Sequence, residues 1–453
     1  MLEFSSRTSQ HCNGVSRRDI LRLGAAGGSL LTLPNLLRAR EHTGRSGKSV
    51  ILIHMAGGPS QLDSYDLKPD APVEYRSTFR PIATSVPGVE ISELLPRQAQ
   101  MMDQLAIIRD LQFHNELPFD HDPHEVFSGY PPKYRRPPLG AIVSRVQPPV
   151  ARALPPYVSL CQHRASITER LHPEDPLYAG TGHRPFAPIS RDLENLQVEL
   201  PAKRLADRAE LLRRLDGIRR EIDQRGDMRA MDEFTSRALA MVTSPEVLSA
   251  LDITREPAEV LARYGPDREY YPLSFPGRKP DMWLTTKFLV ARRLVEAGVP
   301  VVTMNIGSWD HHGVLSNGPQ SGIFPRIQQE LPWFDQAFAA LVTDLKERGL
   351  LNDVLVVAWG EMGRTPKINR QAGRDHWQNS GFALLAGGGL KTGQAIGATD
   401  RLAAHPLGNP HTPEHVFATI YRHLGINPSQ AIPDFTGRPR HLLDDTEPIR
   451  ELL

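Results

Sequence analysis

The chain has 453 residues, and 40% of them are hydrophobic, ample for a buried core. Its 53 basic and 52 acidic side chains leave a formal charge of +1, so composition points to neither nucleic acid nor an anionic membrane surface as a partner. Two cysteines, Cys12 and Cys161, exclude a disulfide-stapled design.

The N-terminus reads as an export signal. Ser16-Arg17-Arg18-Asp19-Ile20-Leu21-Arg22 sets paired arginines before a mildly apolar stretch, Leu21 to Leu37, rich in Gly, Ala and Leu. That is the layout of a twin-arginine signal, over residues 1–45 with its linker, which hands folded cargo to the twin-arginine translocase. The alternative is an amphipathic first helix of the domain. Export by this route predicts a periplasmic or extracellular protein whose mature chain holds one thiol, because Cys12 lies in the leader. The stretch is too short and Gly-rich for a membrane anchor, which needs roughly 20 apolar residues. No other segment is long and apolar enough, so no stable membrane span is expected.

Beyond residue 46 the apolar runs recur. Ser49-Val-Ile-Leu-Ile-His54 is followed by Leu105–Ile108, Tyr157–Leu160, Val299–Ile306, Val354–Ala358 and Phe382–Ala386. Such runs are strands buried on both faces. The Pro-rich segment Pro131 to Pro156 reads as an extended connection. From Pro201 to Tyr264 charges dominate, with Leu205, Leu212, Leu215, Ile218 and Ile222 at near-helical spacing, which predicts a helical insertion or cap at about 196–265. Asp281 to Ala297, closed by Gly298, and Leu331 to Arg348, closed by Gly349, read as helices. Strands alternating with helices predict an α/β fold with a mostly parallel sheet covered on both faces.

In such sheets ligands gather beyond the carboxyl ends of the strands, and the polar clusters here stand there. After the first strand comes Gly57-Gly58-Pro59-Ser60-Gln61-Leu62-Asp63, a turn that brings Asp63 over the sheet edge or merely carries a surface aspartate. After Ile306 comes Gly307-Ser308-Trp309-Asp310-His311-His312-Gly313, where carboxylate and imidazole suit a divalent ion. Alternation along the chain lets Asp310 and His312 converge while His311 turns away. Trp359-Gly360-Glu361-Met362-Gly363-Arg364-Thr365-Pro366 offers a metal carboxylate beside an anion clamp, or else a loop-bracing salt bridge. Gly373-Arg374-Asp375-His376-Trp377 precedes a strand and can fold back to add a second imidazole. His114-Asn115-Glu116 and Asp120-His121-Asp122-Pro123-His124-Glu125 crowd ionisable groups into one loop. Gly387-Gly388-Gly389-Leu390-Lys391-Thr392-Gly393 lacks phosphate-loop spacing, and no Gly-x-Ser-x-Gly elbow is present.

Taken in order, these motifs, together with Gly397-Ala398-Thr399-Asp400, the helix at His411–Ile420 and Phe435-Thr436-Gly437-Arg438-Pro439, resemble the exported bacterial family called domain of unknown function 1501. The resemblance spans nearly all of residues 46–453. That family is grouped with alkaline phosphatases and sulfatases, which implies a three-layer α/β/α sandwich and a site for one or two divalent ions (Zn, Mn, Mg or Ca). Residue by residue, the resemblance implies Asp63, Asp310, His312, Glu361, Asp375 and His376 as metal ligands, although Met362 replaces a histidine. Beside these, the residues themselves suggest His121 as the group that orients or protonates and Arg364 as the clamp on the anion. The loop where sulfatases carry their Cys or Ser nucleophile holds histidines here, whereas direct attack by activated water needs no such side chain. The implied function is hydrolysis of phosphate or sulfate esters, on an anionic small molecule or a glycan. The competing expectation is a non-catalytic binding or structural protein of the cell envelope on the same fold.

Overall fold

A computed structural model describes residues 47–114, 121–147, 154–161, 172–188, 245–270, 281–313 and 323–453. The twin-arginine segment and most of the expected insertion lie outside the described residues. Of the insertion, the helices Pro245–Leu251 and Ala258–Tyr264 are described.

Val, Ile and Leu suit a pleated surface that is covered on both faces, and their runs form the sheet. Among the described residues it has seven strands: β1 (Ser49–Met55), β2 (Leu105–Leu111), β3 (Tyr157–Ser159), β4 (Val301–Ile306), β5 (Val354–Trp359), β6 (Gly381–Gly387) and β7 (Gln394–Ile396). Their spatial order is β7-β2-β6-β5-β1-β4-β3. β6 pairs antiparallel with both its neighbours, and every other pairing is parallel, so six strands run one way. The sheet is thus mostly parallel.

Helices cover both faces. On one, Val50, Leu52, Val357 and Leu385 share a core with α1 (His124–Ser128), α2 (Leu139–Val146) and a late helix, Pro413–His423, through Phe127, Ile142 and Phe417. The alternate strand residues, such as Ile51, Ile53 and Met304, are fully buried toward the opposite face. There α3 (Thr286–Ala297) packs on β1 and β4, and α4 (Ile323–Glu347) packs on α3.

Three local expectations change. Asp281–Trp283 is a short strand paired with Arg268–Tyr270 rather than the first turn of a helix, and α3 starts at Thr286. Gly298, at φ 104°, then closes α3 in the left-handed conformation. α4 starts at Ile323 rather than Leu331 because its buried stripe Ile323, Ile327, Leu331 and Phe334 runs straight through Pro332. Packing along that stripe outweighs the hydrogen bond that proline removes. The Pro-rich connection contains α2, an amphipathic helix with Pro138 at its N-cap, so it is not extended throughout.

β1, β4 and β5 are parallel neighbours in register, with His54 opposite both Asn305 and Trp359, so their carboxyl ends share one edge. No helix among the described residues is long and apolar enough to cross a membrane.

Candidate metal centre

The loops leaving that edge are held together by close backbone approach. Gly57 and Gly58 follow β1 at φ 106° and 75°. A Cβ on Gly57 would stand 2.5 Å from the backbone nitrogen of Asp310, so only glycine lets the two loops meet. Trp309 N–H donates to the Ala56 carbonyl at 2.7 Å and fixes that contact. On the far side a Cβ on Gly373 would stand 2.0 Å from the carbonyl carbon of His312. The Arg374 N–H donates to the His311 carbonyl at 3.0 Å, and a two-residue ribbon pairs Arg364 with His376. Glycine at both contacts thus places residues from three distant loops within reach of Asp310.

The result is a compact donor set. Asp310 Oδ1 lies 2.7 Å from His312 Nε2, 3.1 Å from His121 Nε2 and 3.5 Å from His376 Nε2. His312 Nε2 and His376 Nε2 are 2.8 Å apart. One ligand atom from each of the four half-buried residues falls within 4.8 Å of all the others. His121 Nε2 is itself buried without a hydrogen-bond partner. Three imidazole nitrogens and a carboxylate oxygen at this spacing are the donors a four-coordinate zinc-type ion takes, so the residues present fit a divalent metal.

A layer of hydrogen bonds aims these donors. Glu361 accepts from His121 Nδ1 at 2.9 Å, from His54 Nε2 at 2.9 Å and from the Gly57 N–H at 2.9 Å. Asp375 accepts from His312 Nδ1 at 3.0 Å. With Nδ1 donating outward, Nε2 of His121 and of His312 is left to present its lone pair to a metal. Burial pushes the Asp310 carboxyl up, but the surrounding His121, His312 and His376 and the Arg364 charge hold it far below the usual carboxylate range. Burial likewise opposes ionisation of Glu361, and His121 and His54 overcome it. His121, pushed down by burial and up more strongly by Asp310 and Glu361, rises to about 9. His376 moves down, because burial there exceeds the help from Asp310.

Asp310, His312 and His376 therefore meet as donors, and His121 joins them. Other expected site residues stand elsewhere. Asp63 is fully buried away from the cluster, where its carboxylate accepts from Arg374 Nε at 2.9 Å and from the Ser60 hydroxyl. Glu361 and Asp375 reach the cluster only through the imidazoles they hold. Arg364 is fully buried, donating to Asp310 Oδ1 at 2.8 Å and to the carbonyls of Gly57, Gly58 and Arg374, which leaves it turned inward rather than toward an incoming anion. His311 points away to Glu330, 3.1 Å distant in α4. The sequence marks His54 only as the end of an apolar strand. Its one signal was being the single imidazole in that run.

In the crowded loop, His114 sits between Glu125, 2.5 Å from Nδ1, and Glu414, 3.4 Å from Nε2. Burial pushes the imidazole down, but the two carboxylates more than reverse this and raise it to about 10. A base raised by folding stabilises the fold fully below its ordinary value near 6.5, and that stability is lost as pH climbs through about 10. Urea midpoints are therefore expected to fall between pH 7 and 10, by less than the full shift implies because solvent screens the partly exposed imidazole. His114→Gln should flatten that slope, and an identical slope in the variant would refute the assignment.

Over residues 47–453 the chain matches the family model described as "Protein of unknown function (DUF1501)". No curated protein matches it. Among solved structures it is similar to the PsFucS1 sulfatase from Pseudoalteromonas sp., at 12% identity and a TM-score of 0.33 over 87% of this chain and 71% of that one. It is also similar to the lipoteichoic acid synthase LtaP from Listeria monocytogenes, at 10% identity and a TM-score of 0.26 over 84% and 73%.

Proposed function

We propose that this chain, which belongs to the DUF1501 family, is an exported metal-dependent hydrolase of phosphate or sulfate esters on an alkaline-phosphatase-like fold. The observation that carries this reading is the convergence of His121, His312 and His376 Nε2 on Asp310, with two of those imidazoles backed by carboxylates. Three nitrogen donors favour Zn over the oxygen-seeking Mn, Mg and Ca. When bound, such an ion supplies Lewis-acid activation of water and of an ester oxygen. Asp310, His121, His312 and His376 would hold it. His121 would be aimed at the ion by the bond from its Nδ1 to Glu361, and with Nε2 among the donors it would have no proton there to give a leaving oxygen. Arg364 balances the Asp310 charge from inside. The twin-arginine segment supports action outside the cytoplasm, with glycan esters among the accessible substrates.

One observation favours a second reading, a binding protein without turnover. Among the described residues, no Ser, Thr or Cys side chain bonds to any of the four donors, and the nearest guanidinium is taken up internally. The experiment is elemental analysis of the purified full-length chain, followed by a panel of aryl phosphates and aryl sulfates. About one equivalent of Zn, removed by a chelator together with turnover and lost in His376→Ala, is the expected result. Trace metal in wild type and variant alike would end the hydrolase reading, and bound metal with no turnover would leave the binding protein ahead.

A further inference from the structure

His54 is an odd residue for its place. It sits next to the end of β1, where every position is buried, and only 4% of it is exposed. A buried imidazole is costly unless it makes a hydrogen bond. This one does: Nε2–H donates to Glu361 Oε2 at 2.9 Å, while the ring packs edge-on against Phe127 at 5.6 Å. Glu361 divides its two oxygens. Oε1 accepts from His121 Nδ1 at 2.9 Å, and Oε2 accepts from His54. The Gly57 N–H spans both, at 2.9 and 3.1 Å. Without His54, Oε2 would keep only the longer of those two contacts, and the carboxylate plane would be free to turn. The hydrogen bond that aims His121 would turn with it.

We propose that His54 is a positioning residue for the metal centre, acting through Glu361 on the orientation and tautomer of His121. The inference rests on the metal reading above but concerns residues outside the donor set. Outer hydrogen-bond partners of metal-bound histidines typically change affinity by about 10–100-fold. His54→Phe keeps the ring packing against Phe127 and removes the donor. His54→Gln restores an N–H at nearly the same reach.

The test is competitive Zn²⁺ titration of the full-length protein and its variants, with the visible absorption of the Co²⁺-loaded forms as a second readout. His54→Phe should weaken Zn²⁺ binding about 10–100-fold and alter the Co²⁺ spectrum, and His54→Gln should recover most of both. Melting of the metal-free proteins separates this from a structural role. If both variants lose stability in parallel yet bind Zn²⁺ as wild type does, His54 only fills space and the inference falls. Asp310→Ala, run alongside, keeps the two claims apart. Lost binding there with unaltered His54→Phe overturns the inference alone, whereas unaltered binding in Asp310→Ala overturns the metal reading beneath it.

Discussion

Replacing Asp63 by alanine should cost the fold about 3–5 kcal/mol, because it strands a buried guanidinium without a counter-charge. Arg374 and Asp63 are both fully buried, and Arg374 donates through Nε at 2.9 Å and Nη2 at 3.4 Å to the two carboxylate oxygens. The other Arg374 donors go to the carbonyls of Tyr75, Thr365 and Pro366, which satisfy hydrogen bonding but not charge. Asp63→Asn keeps an acceptor in place and should lose less. The double variant Asp63→Ala with Arg374→Met removes the orphaned cation and should recover part of the loss, since a buried pair is often replaceable by apolar packing. Urea midpoints of the wild type, Asp63→Ala, Asp63→Asn, Arg374→Met and the double variant give the measurement. If the double variant is as unstable as the sum of the two single changes, the pair is not coupled and the argument fails. Metal affinity supplies an independent contrast. Asp63→Ala leaves the four donors intact, so the folded variant should bind Zn²⁺ within about 10-fold of wild type, an effect no larger than that of an outer-shell partner.

Much of this architecture was legible because it is local. An unbroken run such as Val50–Ile53 or Val354–Ala358 announces a strand covered on both faces whatever its neighbours are. Gly298 announces a helix end because a left-handed residue follows the last turn of α3. The site was legible in part for the same reason. Asp310, His312 and His376 stand where loops leave or approach the sheet edge, and imidazoles beside a carboxylate have few other uses there. What sequence could not assign is which polar residue joins the four-residue cluster and which braces it from behind. Asp63 and Asp310 both follow parallel strands, yet one meets Arg374 and the other meets three imidazoles. Glu361 and His121 are separated by 240 residues and meet only because β2 and β5 end at the same edge. Such choices are fixed by inter-loop contacts, like those at Gly57 and Gly373, that no local pattern encodes. His54 escaped for the opposite reason: its neighbours hid it in a hydrophobic run.

Asp310→Ala should then produce the largest functional loss of any single change. Its Oδ1 is the atom on which three Nε2 nitrogens converge, at 2.7, 3.1 and 3.5 Å, and it is also the carboxylate that answers Arg364 at 2.8 Å. Binding of a structural zinc ion is typically worth about 10–16 kcal/mol, so one donor of four carries on the order of 3 kcal/mol. That share corresponds to roughly 100-fold in affinity. Thermal stabilisation by metal reads it directly. At a Zn²⁺ concentration near 100 times the wild-type Kd, the wild type gains about 2.7 kcal/mol, whereas a variant weakened 100-fold gains only about 0.4 kcal/mol under the same conditions. The metal-free variant should also be less stable than the metal-free wild type, because Arg364 would keep its carbonyl partners and lose its only carboxylate. Asp310→Asn separates the two effects. Its amide oxygen still accepts from Arg364, so stability should suffer less, while the missing charge should still depress Zn²⁺ affinity. Full Zn²⁺-induced stabilisation of Asp310→Ala would mean that Zn²⁺ binds without this carboxylate, whose part is then to brace the loops against Arg364.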